Sequence, residues 1–383
     1  MNIKLKKYIK NHYHIFKLYF TFFFIFSNIY YLKNYNIRGT ILIKGRKYLN
    51  RCLKEELNRI YPNFDNPRVS VIIPLYNCQN TIKQAIKSIQ NQKMIDIEIV
   101  LVNDKSNDDT LKIIENIQIN DKRIKLINNK KNMGTLYSRS IGVLTAKGKY
   151  LFPLDNDDMF FDDDVFNIVY NEAYNFNYDI VGFKTIQASK FKARLSEMED
   201  ACHMHNNNFT IHKPDLSLFG ISDNGNYNIR EVHIWSKCIK NSVYQKGVNS
   251  LGRNRYSFFI GWAEDTAMVF VLFNVAESYR YITKYGIFKC NRKNSASIFL
   301  PDSHKLFGEI FFLDVIFDFT KNDTKSKIFA VYQAFHLRNS TFFNSQDEIN
   351  INYLKLTLKK LMSCPYINNE EKSKLKINFI GFI

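Results

Sequence analysis

Asp155-Asn156-Asp157-Asp158 stand together directly after the apolar run Tyr150 to Leu154. Carboxylates crowded on one loop repel one another unless a cation or hydrogen-bond donors neutralise them. An all-oxygen donor set favours Mg²⁺ or Mn²⁺, and Mg²⁺ is usually held by one or two carboxylates with diphosphate oxygens completing the shell. Asp158 or Asp162 also suits an N-cap for the helix that follows, but a cap does not account for the whole cluster. Asn103-Asp104, in VNDKSNDDT, offers a carboxylate that can accept hydrogen bonds from a base or a ribose. Its neighbours Ser106 to Asp109 read equally well as a helix cap. Glu264-Asp265 follow Trp262. They read as a helix-start cap unless the fold returns them to the sheet's carboxyl edge.

These acids need a scaffold, and the apolar pattern supplies one. Val69 to Leu75 is a continuous apolar run, as in a strand buried on both faces. Gln79 to Gln92 has helical spacing, with Ile82, Ala85, Ile86 and Ile89 on one face. Strands are expected at Ile97 to Val102, Ile124 to Ile127, Tyr150 to Leu154 and Asp179 to Phe183. Helices are expected at Thr110 to Ile119, from an Asn132 cap to about Ala146 with Gly148 ending it, and at Val165 to Phe176. This alternation with short loops predicts an α/β fold around a mostly parallel, doubly wound sheet. Ligands bind such sheets beyond the carboxyl ends of the strands. The expected site is therefore the loops Tyr76–Gln79, Asn103–Asp109, Asn128–Gly134 and Asp155–Asp158.

Beyond Thr185 the pattern fades into a polar stretch that lasts to about Asn228. Cys202, His203 and His205 lie in it, but histidines in an Asn-rich loop read as surface rather than as a metal site. Order returns at His233 to Ile239. A helix is expected from about Trp262, two strands within Tyr279 to Arg292, and amphipathic helices from about Leu306 onward. The six cysteines (Cys52, Cys78, Cys202, Cys238, Cys290, Cys364) form no CxxC pair, which argues against zinc and against a dense disulfide framework. No GxGxxG follows the first strand, so a nicotinamide dehydrogenase is not indicated.

Five lysines (Lys4, Lys6, Lys7, Lys10, Lys17) precede or border the uncharged run Leu18 to Leu32, which ends in Tyr30 and Tyr31. Extended back to Ile15, with Lys17 snorkelling, the run reaches the lower length limit for a membrane-spanning helix. An uncleaved membrane anchor is expected over 1–37, followed by a basic stem over 38–67; a buried or interfacial aromatic helix is the alternative. Basic residues on both sides leave the orientation open. Sequons at Asn208, Asn322 and Asn339 would suit a lumenal domain, in the endoplasmic reticulum or Golgi if the cell is eukaryotic. The net charge of +18 attracts anions, but Lys and Arg are dispersed rather than clustered with aromatics on one element, and nucleic acid is not an expected partner.

VSVIIPLYN (from Val69), VNDKSNDDT (from Val102), NMGTLYSRSIGV (from Asn132), FPLDNDD (from Phe152) and WAEDT (from Trp262) occur in one order and spacing. Together they resemble family 2 of the inverting glycosyltransferases, which have the GT-A fold. The resemblance spans about Val69 to Ile298. It implies a glycosyltransferase domain over 69–300, with a nucleotide-sugar half (69–184) and an acceptor half (185–300), and a C-terminal helical extension over 301–383. By this likeness Pro74, Tyr76, Asp104, Arg139 and Asp155 would bind the nucleotide-diphospho-sugar donor, most simply a UDP-sugar. Asp157 would hold Mn²⁺ or Mg²⁺. Asp265 would be the base that deprotonates the acceptor hydroxyl. Trp235, Lys237, Trp262 and Glu264 would line the side that takes a glycan, lipid or protein acceptor. The family's usual Asn after the arginine is Ser140 here, and its VDDGS turn reads VNDKS. A catalytically silent nucleotide-sugar-binding module and a nucleotidyltransferase are the alternatives.

Overall fold

The structure is a computed structural model that describes residues 66–188, 199–200, 205–214, 218, 233–257, 259–260 and 262–290, with scattered helical positions between 308 and 373. The expected anchor and stem, the sequons at Asn322 and Asn339, His203, and Cys52, Cys202 and Cys364 lie outside the described residues.

The segment from Val69 to Asn175 forms as its pattern predicts. β1 (Val69–Leu75) is buried throughout and lies parallel to both β2 (Ile97–Asn103) and β4 (Tyr150–Pro153), while β3 (Ile124–Asn128) extends the sheet beside β2. Alternate residues of a strand face opposite ways. Ile72, Val100 and Val102 accordingly enter one core cluster, and Val71, Ile73, Ile99 and Leu101 the other. α1 (Ile82–Gln90) buries Ile82, Ala85, Ile86 and Ile89, the predicted face, in the second cluster. α2 (Thr110–Asn120) contributes Ile114 and α4 (Val165–Asn175) contributes Val165, Phe166 and Val169 to the same layer. α3 (Thr135–Thr145) covers the first cluster with Leu136 and Val143.

Two local expectations about α3 differ. Gly134, not Asn132, precedes it, at φ +87°; Asn132 Oδ1 instead accepts from the Gly134 N–H at 3.1 Å. The helix ends at Thr145. Gly148 lies beyond it and brings the backbone onto β1, where its N–H donates to Ser70 Oγ at 2.7 Å.

The second half is mixed rather than purely parallel. β6 (Ile180–Ala188) does not adjoin β4. The short β9 (Lys237–Lys240) runs between them, antiparallel to both. One long strand, β10 (Ser278–Cys290), replaces the two expected within Tyr279 to Arg292. It pairs parallel with β6, and register shifts around Tyr285 absorb the break in its pattern. The order is β3-β2-β1-β4-β9-β6-β10-β5, with β5 (Met159–Phe160) at the edge; β7 (Glu199–Asp200) adds to β6 and β8 (Phe209–His212) to β10. α5 (Asn241–Leu251) was not anticipated, although Val243, Tyr244, Val248 and Leu251 have helical spacing and are buried. A short α6 (Arg253–Tyr256) follows it, and α7 (Glu264–Val275) buries seven consecutive residues, Ala267 to Phe273.

Cys78, Cys238 and Cys290 are buried thiols. The His205 ring packs against Phe209 and Tyr281. Among the described residues no helix is long and apolar enough to cross a membrane.

Candidate active site

The four predicted loops meet at the carboxyl edge of the sheet and are tied to one another. After β1, the Asn77 N–H donates to Ser106 Oγ and the Gln79 N–H to Asp108 Oδ2; in return the Asn107 N–H donates to Asn77 Oδ1. Asn77 and Lys105 hold left-handed backbone at φ +48° and +62°, and these turns let the two loops interlock. Asn156 Nδ2 donates to the Pro74 carbonyl at 3.1 Å, which joins the fourth loop to the first. Pro74 is thus part of the frame. Tyr76, just beyond it, is 46% exposed, so its ring is available to lie against a base.

Asp104 is buried at the end of β2, and protein donors already engage its carboxylate. Asn129 Nδ2 and the Met133 N–H donate to Oδ1, and the Gly134 N–H donates to Oδ2 at 2.7 Å. A carboxylate offers about four lone-pair sites, so Asp104 spends most of its capacity shaping the loop between β3 and α3.

Arg139 is buried on α3. Nη1 donates to Asp265 Oδ1 at 2.5 Å and Nη2 to Asp155 Oδ1 at 3.0 Å. The fold therefore returns the Glu264-Asp265 pair to the sheet edge. These acids open α7, where the helix dipole favours negative charge. Ala263 turns the chain into the helix with left-handed backbone at φ +57°. Burial opposes the charge of Arg139, but Asp265 and Asp155 hold its pKa above the ordinary value. Burial raises the Asp155 pKa against the pull of Arg139, and Asp265 raises it further. Glu264 is pushed up to about 8, by burial first and by the Asp265 charge second.

A family description, Glycosyl transferase family 2, matches residues 70–232. Residues 70–232 thus resemble a family 2 glycosyltransferase domain. Over 127 residues it is 38% identical to a hyaluronan synthase of Pasteurella multocida, covering 32% of this chain and 12% of the synthase. Over 123 residues it is 35% identical to a chondroitin synthase of Pasteurella multocida strain Pm70, covering 30% of this chain and 13% of that one. The likeness thus spans a small part of these relatives' length. In fold the chain is similar to the crystal structure of S. aureus TarS 1-349, with a TM-score of 0.54 and 16% identity over 77% of this chain and 80% of that one. It is equally similar to TarS 1-349 in complex with UDP-GlcNAc, with a TM-score of 0.55 and 15% identity over 77% and 81%. The sheet and its helices have the GT-A fold.

Within this domain the acid-rich loop carries surplus negative charge. Asp158 is 2% exposed, and its Oδ2 has no hydrogen-bond partner among the described residues. Burial, then the charges of Asp155 and Asp157, lift its pKa well above the carboxylate range. Asp158 does not cap a helix, because α4 begins after Asp164; Asp162 Oδ1 instead accepts from the Asp164 N–H, within the turn before the helix. Lys289, near the end of β10, offsets part of the charge on Asp155 and Asp158. Its ammonium sits 4.8 Å from the centroid of the Trp235 ring. Sequence reasoning passed over Lys289; a basic residue closing a strand beside an acidic loop was the available signal.

The predicted acceptor-side residues differ in burial. Trp235 is 3% exposed and stacks on His233, and Lys237 is fully buried with Nζ donating to the His233 carbonyl at 2.7 Å. Both sit in the interior because β9 is inserted between β4 and β6. Trp262 and Glu264 are half-buried at the α7 turn. Ser140, which replaces the usual Asn, is buried with its Oγ unpaired among the described residues.

Proposed function

We propose that this chain transfers a sugar from a nucleotide-diphospho-sugar to an acceptor hydroxyl with inversion, aided by Mg²⁺ or Mn²⁺. The observation that carries this reading is the convergence of Asp155, Arg139 and Asp265 beside the Asp157-Asp158 loop. A UDP-sugar is the favoured donor, because TarS 1-349 was crystallised with UDP-GlcNAc and with UDP.

The residues present fit a hard cation: the unpaired buried Asp158 Oδ2 and the raised acid pKa values mark negative charge that a cation would relieve. Asp157 would hold it. Among the described residues no three His, Cys, Asp or Glu side chains form a ready cage, so the remaining ligands would come from the donor's diphosphate and water. Bound there, the ion offsets the charge that develops on the leaving diphosphate.

The protein's own part is positioning and proton transfer. Tyr76 lies against the base and Asp155 meets the ribose. Arg139 holds Asp265 by Oδ1, which leaves Oδ2 to take the acceptor's proton. The acceptor oxygen bonds to the anomeric carbon on the face opposite the diphosphate, and the diphosphate departs with the bonding electron pair.

Full-length chain incubated with a panel of nucleotide sugars and Mn²⁺ should release nucleoside diphosphate from one of them. Release should stop with EDTA and in Asp157→Ala, and NMR of the product should show an inverted anomeric centre. A product of retained configuration overturns the mechanism, and tight nucleotide binding without turnover under any acceptor marks a silent module. We further propose that 1–37 anchors the chain in a membrane, on the strength of the Leu18 to Leu32 run. Release of the full chain from membranes by alkaline carbonate would refute this.

A further inference from the structure

We propose that Arg139 is a positioning residue that locks Asp155 and Asp265 into one rigid unit and does not bind the nucleotide. This rests on the reading above, in which Asp155 serves the donor and Asp265 the acceptor.

The two carboxylates come from separate parts of the chain, the loop after β4 and the first turn of α7. Like charges brought this close repel. Arg139 stands between them and gives each its own nitrogen, at 3.0 Å and 2.5 Å. Its side chain is 3% exposed. Both terminal nitrogens are thus engaged, Nε is buried without a hydrogen-bond partner among the described residues, and little of the guanidinium is open to a nucleotide. The planar fork gives the two contacts fixed directions, which a single ammonium cannot do.

The root of Arg139 is equally constrained. One turn further along α3, a Cβ on Gly142 would fall 2.5 Å from Ile72 Cγ2, so the helix lies hard against β1 and cannot slide. Leu136 and Val143 are buried on either side. Tyr244 of α5 and Glu264 of α7 also act electrostatically on the guanidinium. The donor-side acid and the acceptor-side base are thereby held at a separation set by α3, not by either substrate.

The test compares Arg139→Lys, Arg139→Met, Asp265→Asn and the double variant Arg139→Lys/Asp265→Asn. Each is assayed for kcat, for donor KM and for thermal unfolding. Arg139→Lys keeps the charge and hence the fold, but cannot span both carboxylates. Its kcat should fall about 100-fold, the scale of a 1 Å misplacement, with donor KM changed less than about threefold. The double variant should be no slower than Asp265→Asn alone, because the two residues act as one unit. An unchanged kcat in Arg139→Lys, with or without a higher donor KM, overturns the proposal. Full turnover in Asp265→Asn would instead remove the base assignment, which is a separate failure. Arg139→Met leaves both acids unpaired; if it unfolds, Arg139→Lys still decides.

Discussion

At the scale of single residues, the acids of this site differ in what their surroundings demand. Asp104 answers three protein donors at once, two from backbone N–H groups of the loop before α3. In Asp104→Asn one acceptor oxygen becomes an amide that faces those donors. The expected cost is about 1–3 kcal/mol, the penalty for a buried donor left unsatisfied, read as a lower urea midpoint at unchanged slope. Glu264 behaves differently. Its pKa in the fold, about 8, stands above the ordinary 4.5. The folded state therefore holds the proton more tightly than the unfolded chain. That stabilisation is complete below about pH 4.5 and is lost as pH rises through about 8. The melting temperature of the wild type should fall across this window, and Glu264→Gln should flatten the fall. A steeper fall in the variant would contradict the assignment.

At the scale of elements, α3 and α7 carry the decisive side chains, and each is fixed by one close feature. α3 meets β1 at Gly142, where Ile72 and Val102 leave no room for a side chain. Gly142→Val should cost about 1–3 kcal/mol by overpacking. Because Arg139 lies one turn away, turnover should fall even where the protein remains folded. Calorimetry and nucleoside diphosphate release on one preparation separate the two effects. α7 opens on Ala263, whose left-handed backbone aims Glu264 and Asp265 at the sheet edge. Such backbone is uncommon outside glycine and tends to persist at functional sites.

At the scale of the whole molecule, described positions between 308 and 318 join the fold's core. Phe311, Phe312, Val315 and Ile316 are buried in the same cluster as α5 and α7. Gly308 lies against the Trp262 carbonyl, where a side chain would not fit. Arg255 of α6 pairs with Asp314 at 3.1 Å and with Asp318. A helix buried on nearly all sides, as α7 is, needs cover on every face. A chain cut after residue 300 should therefore expose Phe270 and its neighbours and bind a hydrophobic dye or precipitate. Soluble, active, dye-negative material would show that the segment is dispensable.

The sequence by itself determined the first half of the sheet and where its acids stand along the chain. Strand and helix periods are local properties, so β1 to β4 and α1 to α4 were legible to within a few residues. The acids Asp104, Asp155, Asp157 and Asp265 stand at the strand and helix ends where the pattern put them. Tertiary structure decided what each side chain does there. Trp235 and Lys237 are interior because β9 inserts antiparallel between β4 and β6, a pairing between distant segments that no local pattern encodes. Arg139 meets Asp265 across a separation of 126 residues, so its commitment to two carboxylates was invisible until the chain closed. Local periodicity fixes where a residue stands on its own element. Only packing between elements fixes which charges meet and which are taken out of water.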